Sequence, residues 1–255
     1  MEDWKLPDGT EVFHLHRGEC HFLYEEIFVR RCYAGNGLRF DKNEAGCILD
    51  VGANIGMSTL FFHRECPGTR IFAFEPSPKT FAVLSANVRR WGIDAKLYDC
   101  ALGASPGTAV FTHYPSKSIM SGLFADPEAD KQTTKAYLIN EGIDAADADD
   151  LLDSAFTPER FDCRIETVSS IIDENGIKAI DLLKIDVEKA ELHVLRGVRD
   201  EHWSLIRQVV AEVHDIDGRV DAVTSMLETH GFTTSVKQDP MLKNTGMYDV
   251  IALRS

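Results

Sequence analysis

Residues 48–56, Ile-Leu-Asp-Val-Gly-Ala-Asn-Ile-Gly, decide the fold. An apolar run from Cys47 to Leu49 meets an acid, Asp50, and then a glycine turn. Beyond Gly56 the apolar residues Met57, Leu60 and Phe61 recur at helical spacing. The stretch predicts a strand, a tight turn and a helix N-terminus, the geometry that brings a nucleotide-like ligand against exposed backbone. A dinucleotide fingerprint needs G-x-G-x-x-G, but Asn54 and Met57 stand where its second and third glycines belong. An NAD-dependent oxidoreductase is therefore the weaker reading.

Working outward, Arg70-Ile-Phe-Ala-Phe-Glu75-Pro76-Ser77 predicts a second strand that ends in an acid and a Pro-Ser break. Glu75 lies one βαβ unit beyond Asp50. A helix from Pro78 to Arg90, a strand from Ala95 to Tyr98 and the loop Asp99-Cys100-Ala101-Leu-Gly103 complete a third unit. Asp50-x-Gly52-x-x-x-Gly56 resembles the first motif of class I S-adenosylmethionine-dependent methyltransferases. On that resemblance, Gly52, Asn54 and Gly56 let the backbone approach the methionine part of S-adenosylmethionine, and Asp50 faces its ammonium. Glu75, with Pro76 and Ser77 behind it, accepts the ribose hydroxyls, and Cys100 and Ala101 line the adenine face.

The 255 residues are 44% hydrophobic, enough for one sizeable core, and no repeat or Pro/Gly-rich linker divides them. A single domain over 1–255 is expected. The formal charge of −14 carries no offsetting Lys/Arg cluster, which argues against nucleic acid as a partner. The six cysteines show no C-x-x-C spacing and are expected to be buried thiols in a reducing compartment. Met-Glu-Asp-Trp-Lys has no signal-peptide character, and no apolar run reaches membrane-spanning length. A soluble, cytoplasmic protein without a membrane partner is the expectation; nothing in the sequence bears on its oligomeric state.

Residues 1–46 read as an N-terminal cap, with a short strand at Glu11–Leu15 and an amphipathic helix from Glu19 to Tyr33. His14, His16 and His21 in that cap are read as loop or surface histidines rather than metal ligands. The strand–helix alternation predicts an α/β, Rossmann-like fold with a mostly parallel seven-stranded sheet. Residues 108–167 break the rhythm: two short strands, Thr108–His113 and Phe161–Val168, flank a polar span from Ser116 to Pro158 without clean periodicity. That span is expected to be a lid, with its acidic half, Asp144 to Asp153, a solvated loop. Strands resume at Ile180–Asp186 and Gln208–Val213, and a terminal hairpin, Phe232–Val236 with Tyr248–Leu253, fits a reversed last strand.

Asp186 ends an apolar strand beside the first one, where ligands of open α/β sheets bind, and is expected to touch the cofactor where methyl donor and acceptor meet. Glu191, farther along the same stretch, is expected to face solvent at a helix N-terminus. Glu212 and His214 share one face of the next strand by alternation. Asp50-Val-Gly-Ala-Asn-Ile-Gly, Phe74-Glu-Pro-Ser, Leu183-Lys-Ile-Asp-Val-Glu-x-Ala-Glu with Val194-Leu-x-Gly197, and Glu212-Val-His214, in that order, resemble the FkbM family of methyltransferases over residues 45–253. That family is named for an O-methyltransferase of macrolide polyketide biosynthesis. Leu6-Pro-Asp-Gly, Phe22–Phe28 and Met57–Phe62 are most similar to members within or beside polyketide and non-ribosomal peptide assembly lines. Lys189 departs from the glycine that many members carry. The resemblance implies S-adenosylmethionine, O-methylation, and an acceptor that is a hydroxylated small molecule or is bound to an acyl carrier protein. His214 then serves as general base, oriented by Asp186 or Glu212. In the alternative, Asp186, Glu212 and His214 hold Mg2+ or another divalent cation on the acceptor oxygen. N- or C-methylation and a non-catalytic scaffold stay open.

Overall fold

The structure, a computed structural model, describes residues 1–34, 37–40 and 47–254. A hairpin of β1 (Glu2–Lys5) and β2 (Glu11–His14) leads into α1 (Arg17–Tyr24), which widens to a π-helical turn over Glu25–Val29. Three strands then alternate with helices: β3 (Cys47–Val51), α2 (Met57–Glu65), β4 (Arg70–Phe74), α3 (Pro78–Trp91) and β5 (Ala95–Tyr98). An insertion comprises β6 (Ala101–Leu102), β7 (Gly107–His113), α4 (Pro127–Asn140), α5 (Ala145–Leu152) and β8 (Glu159–Glu166). The chain closes with α6 (Val168–Asn175), β9 (Leu182–Ile185), α7 (Glu191–Arg196), β10 (Gln208–His214), α8 (Arg219–Thr229), β11 (Thr233–Lys237) and β12 (Met247–Leu253).

The main sheet runs β11-β12-β10-β9-β3-β4-β5. β3, β4, β5, β9 and β10 pair in parallel, and β12 alone runs against both of its neighbours. The chain moves outward from β3 to β5 and returns on the other side of β3 as β9, so the connections diverge between β3 and β9. That divergence opens a crevice at the carboxyl ends of the strands. Every residue of β3 is buried because helices cover both faces, which is why its sequence reads as an apolar run rather than an alternation. Cys47, Leu49 and Val51 pack into one core, and Ile48 packs into the other. None of the six cysteines is in a disulfide among the described residues, and five are buried.

The N-terminal segment holds the expected strand as β2, paired with β1, and its helical stretch runs from Arg17 to Val29 rather than to Tyr33. Leu6, Val12, Cys20, Tyr24 and Ile27 join the core formed by α2 and α3. Asn87 on α3 clamps the hairpin: its Oδ1 accepts from the Phe13 amide at 2.7 Å and its Nδ2 donates to the Phe13 carbonyl at 2.9 Å. The far part of the expected cap, 35–36 and 41–46, lies outside the described residues. His14 is buried and stacks edge-on to Trp4, so it is no surface histidine.

The polar span between the insertion strands holds two helices where a loop was expected. Asp126 caps α4 by accepting from the Glu128 and Ala129 amides at 3.0 and 3.2 Å, and Asp144 caps α5 from the Ala146 amide at 2.9 Å. Asp126, Glu128, Asp130, Asp144 and Asp147 are caps and first-turn residues favoured by the helix dipole, whereas Asp149 and Asp150 lie later in α5 and Asp153 follows its end. The core stripe of α5 is Ala148 and Leu152 alone, too short for a period to stand out. α4 turns Thr133, Thr134 and Tyr137 toward a cavity, and only Leu138 also packs against the small core of Tyr114, Leu152 and Phe156, so its inner face is mixed in polarity. Among the described residues, no helix is long and apolar enough to cross a membrane.

Gly52 is glycine for a tertiary reason. Its φ of 81° is left-handed, and a Cβ there would fall on the Asp186 carbonyl oxygen and 2.8 Å from the carbonyl carbon. Gly52→Ala is expected to push β9 away from β3 and to lower stability by about 2 kcal/mol or more, read by urea unfolding.

Candidate active site

The crevice holds a cavity of about 390 Å3. One end is built on β3 and β4. The Gly52 and Ala53 amides both donate to the Phe74 carbonyl, at 3.1 and 2.9 Å, which folds the turn over the end of β4. Glu75 sits there with its Oε2 accepting from the Asn54 amide at 3.2 Å and its Oε1 from the Ser77 amide at 2.8 Å. Burial raises its carboxyl to about 7 despite those two bonds. Gly52, Asn54, Glu75, Pro76, Cys100 and Ala101 all line the cavity. Asp50, Gly56 and Ser77 do not. Gly56 and Ser77 precede α2 and α3 as their N-cap residues.

Asp50 has been drawn inward. It is 0% exposed, and its Oδ2 accepts from Ser58 Oγ and Thr59 Oγ1 at 2.8 and 2.6 Å. Its Oδ1 faces Lys184 Nζ at 3.3 Å. Lys184, which the sequence did not single out, also donates to the Gly52 carbonyl at 2.7 Å and lies 3.4 Å from Asp186 Oδ2. Burial works against its ammonium, yet Asp186 and Asp50 hold it above the ordinary lysine value. One cation therefore ties the ends of β3 and β9 together. The only sequence signal for it is a lysine in an otherwise apolar strand.

The other end lies across β9, β10 and β12. Glu212 stands opposite Asp249 in the β10–β12 register, and Ala211 pairs with Ile185, which brings Asp186 alongside. Glu26 reaches the same cavity from the π-helical turn. His214 Nε2 faces Glu188 Oε2 at 2.9 Å. Both atoms are fully buried and neither makes a well-directed hydrogen bond. Glu188, Glu212 and His214 present ligand atoms all within 4.8 Å of one another, a grouping that includes Glu188 where Asp186 was expected. Asp186 turns toward Lys184 instead. Glu188 and Glu212 line the cavity, whereas His214 sits behind the lining. The sequence shows Glu188 as one of three acids within six residues but gives it no role, because it lies past the strand, where φ of 51° and 74° at Glu188 and Lys189 bend the chain back. Strand alternation has no hold on such a turn. Glu191, expected at the surface, is 0% exposed: its Oε1 accepts from the Lys189 amide at 2.6 Å, and Arg219 lies 3.7 Å from its Oε2.

These carboxylates resist ionisation. Burial, reinforced by Asp186, pushes Glu26 up to about 8; burial also takes Glu191 to about 7 and Asp249 to about 6. Each acid binds a proton more tightly in the folded state than in the unfolded one. Stability contributed by these protons is present at low pH and is lost as pH rises through the folded values. The protein is expected to melt lower at pH 8 than at pH 6 by about 5 °C, checked by scanning calorimetry across that window.

The sequence profile of the methyltransferase FkbM domain matches residues 50–234, well over half of the chain. The chain is 43% identical over 256 residues to 31-O-demethyl-FK506 methyltransferase FkbM of Streptomyces tacrolimicus, covering 100% of this chain and 98% of that protein. AMB antimetabolite synthetase AmbE of Pseudomonas aeruginosa is 35% identical over 269 residues, which is 99% of this chain but 13% of AmbE. Methyltransferase sdnD of Sordaria araneosa is 33% identical over 241 residues, 88% of this chain and 86% of that one. The crystal structure of methyltransferase FkbM from Methylobacillus flagellatus shares the fold with a TM-score of 0.56 at 15% identity, over 90% of this chain and 47% of that one.

Proposed function

The chain belongs to the FkbM family of S-adenosylmethionine-dependent methyltransferases, and from that premise we propose that it methylates a hydroxyl of a polyketide or peptide natural-product intermediate. A relative whose name specifies 31-O-demethyl-FK506, and another that is a synthetase, support that substrate class and a carrier-protein-bound acceptor. The observation that carries the reading is the buried pair of Glu188, on the wall of the cavity that Gly52 and Glu75 also line, with His214 behind it at 2.9 Å.

When bound, the cofactor supplies an electrophilic methyl group on a sulfonium. Glu75 receives the ribose hydroxyls on oxygen lone pairs that the Asn54 and Ser77 amides leave free. Cys100 and Ala101 enclose the adenine. The Gly52–Asn54 turn and Asp186 hold the methionine end, a role that passes to Asp186 because Asp50 is walled off by Lys184. Glu188 accepts the proton of the acceptor hydroxyl, and His214 behind it balances the charge. Positioning of acceptor and cofactor by these walls would supply most of the remaining rate enhancement.

A second reading has a specific observation behind it. The converging ligand atoms of Glu188, Glu212 and His214 suit a divalent cation with mixed oxygen and nitrogen ligands, which would lower the pKa of a bound hydroxyl. Calorimetric titration with S-adenosylmethionine, run with and without exhaustive chelation, tests both readings. Wild type is expected to bind, and Glu75→Ala to lose about 100-fold in affinity through two charge-assisted hydrogen bonds. Absence of binding to folded wild type overturns the cofactor assignment. Methyl transfer abolished by chelation and restored by Mg2+ replaces the proton-acceptor reading with the metal one.

A further inference from the structure

The loop that carries Glu188 is gripped by the insertion. Lys189 Nζ pairs with Asp130 Oδ1 on α4, and both side chains are more than nine-tenths buried. Tyr114 Oη donates to the other oxygen of Asp130 at 2.8 Å, and the Asp126 amide does so at 2.9 Å. Asp130 lies on the helix stripe that continues through Thr133, Thr134, Tyr137 and Leu138, the residues by which α4 walls the cavity. A second contact is independent of that ion pair. Gly122, bridged to Thr112 on β7, packs so closely that a Cβ there would lie 2.8 Å from the Glu188 carbonyl oxygen and 3.0 Å from its Cβ. From the opposite side, Arg219 Nη1 donates to the Lys189 carbonyl at 2.7 Å. Lys189 holds a left-handed φ of 74° between these grips, a conformation that costs a non-glycine residue energy and persists only when its surroundings enforce it.

We propose that Asp130 and Lys189 are positioning residues that couple the α4 wall of the acceptor pocket to Glu188. An acceptor that leans on Thr133, Thr134 or Tyr137 thereby sets the carboxylate that takes its proton. The inference rests on the proposed role of Glu188, and its reach is kinetic: a misfitting acceptor disturbs the base as well as its own docking. No reacting atom touches either residue.

The test uses the full chain without any acceptor, reading the imidazole NMR signal of His214, assigned with His214→Gln. Asp130 does not act on His214, and the Lys189 charge, which does, works against its protonation while Glu188 favours it. Losing the lysine charge alone therefore moves the imidazole away from its Glu188→Gln state, and only a displaced Glu188 carries the signal toward that state. Asp130→Asn with Lys189→Gly removes the pair without stranding a charge, and glycine keeps the left-handed turn. The expected result is a His214 signal moved toward that of Glu188→Gln, with amides 186–191 exchanging about tenfold faster or more. Lys189→Arg is expected to restore both. Tyr114→Phe, which loosens Asp130 but spares the ion pair, controls for stability and is expected to leave the signal unmoved. A folded double variant whose His214 signal stays in place or moves away from that of Glu188→Gln overturns the coupling. If the double variant fails to fold, Lys189→Met alone decides by the same signal. If Glu188→Gln itself leaves His214 unmoved, the Glu188–His214 pair fails and with it the functional reading, a result distinct from failure of the coupling.

Discussion

Glu188→Gln is expected to lower kcat by about 10³-fold while S-adenosylhomocysteine binds within about threefold of wild type. The substitution keeps the shape of the side chain and removes its basicity, so a selective loss of kcat marks a proton acceptor rather than a cofactor ligand. Burial raises the Glu188 carboxyl, and His214 draws it partly back. The active form is the ionised one, so activity is lost as pH falls through the raised value. The acid limb should accordingly lie above the ordinary carboxylate range. His214→Ala removes the balancing charge and is expected to move that limb to higher pH as well as to lower kcat. Because the two groups titrate as a pair, the limb reports the pair. An acid limb unmoved in His214→Ala, measured by radiolabelled methyl transfer between pH 5 and 9, would sink the assignment.

Lys184→Met should be the most destabilising single change in the crevice. It leaves Asp50, 0% exposed, with an Oδ1 that has lost the Lys184 ammonium beside it. Breaking a buried pair from one side costs about 3–5 kcal/mol, because a charge is left without compensation. In a protein of this size that corresponds to a melting-temperature drop on the order of 10 °C. The double variant Asp50→Asn, Lys184→Met should recover most of the loss, since its polar group still meets Ser58 and Thr59. It should nevertheless bind cofactor more weakly, because the Gly52 carbonyl and Asp186 lose their common anchor. Thermal melts of the three variants with and without S-adenosylhomocysteine separate the two effects. Equal destabilisation of single and double variants would contradict the pairing.

Much of this architecture was legible because periodicity reports burial on both faces. Cys47–Val51, Arg70–Phe74 and Leu182–Ile185 are apolar runs, and the glycine turn and the acid that ends β4 fall where the crevice forms. Glu75 could be read because its place depends on one strand and one turn. The insertion was harder. α4 faces a cavity and α5 carries a stripe of two residues, so neither shows the pattern that a core would impose. β1, a short exposed edge of a two-stranded hairpin, left no alternation to detect.

The amino-acid order by itself determined the strand succession, the glycine turn, and the acids and histidine gathered at the carboxyl ends of the strands, since these follow from local spacing and from the two-residue and 3.6-residue periods. Only the tertiary structure decided which acid meets His214 and which is buried for good. Asp50 and Asp186 turn to Lys184 because that ammonium, deep between two strands, needs counter-charges within reach. Glu188 turns to His214 because a left-handed bend, held by Asp130, Gly122 and Arg219, points it back into the cavity. Those contacts join residues far apart in the chain, and no local spacing encodes them.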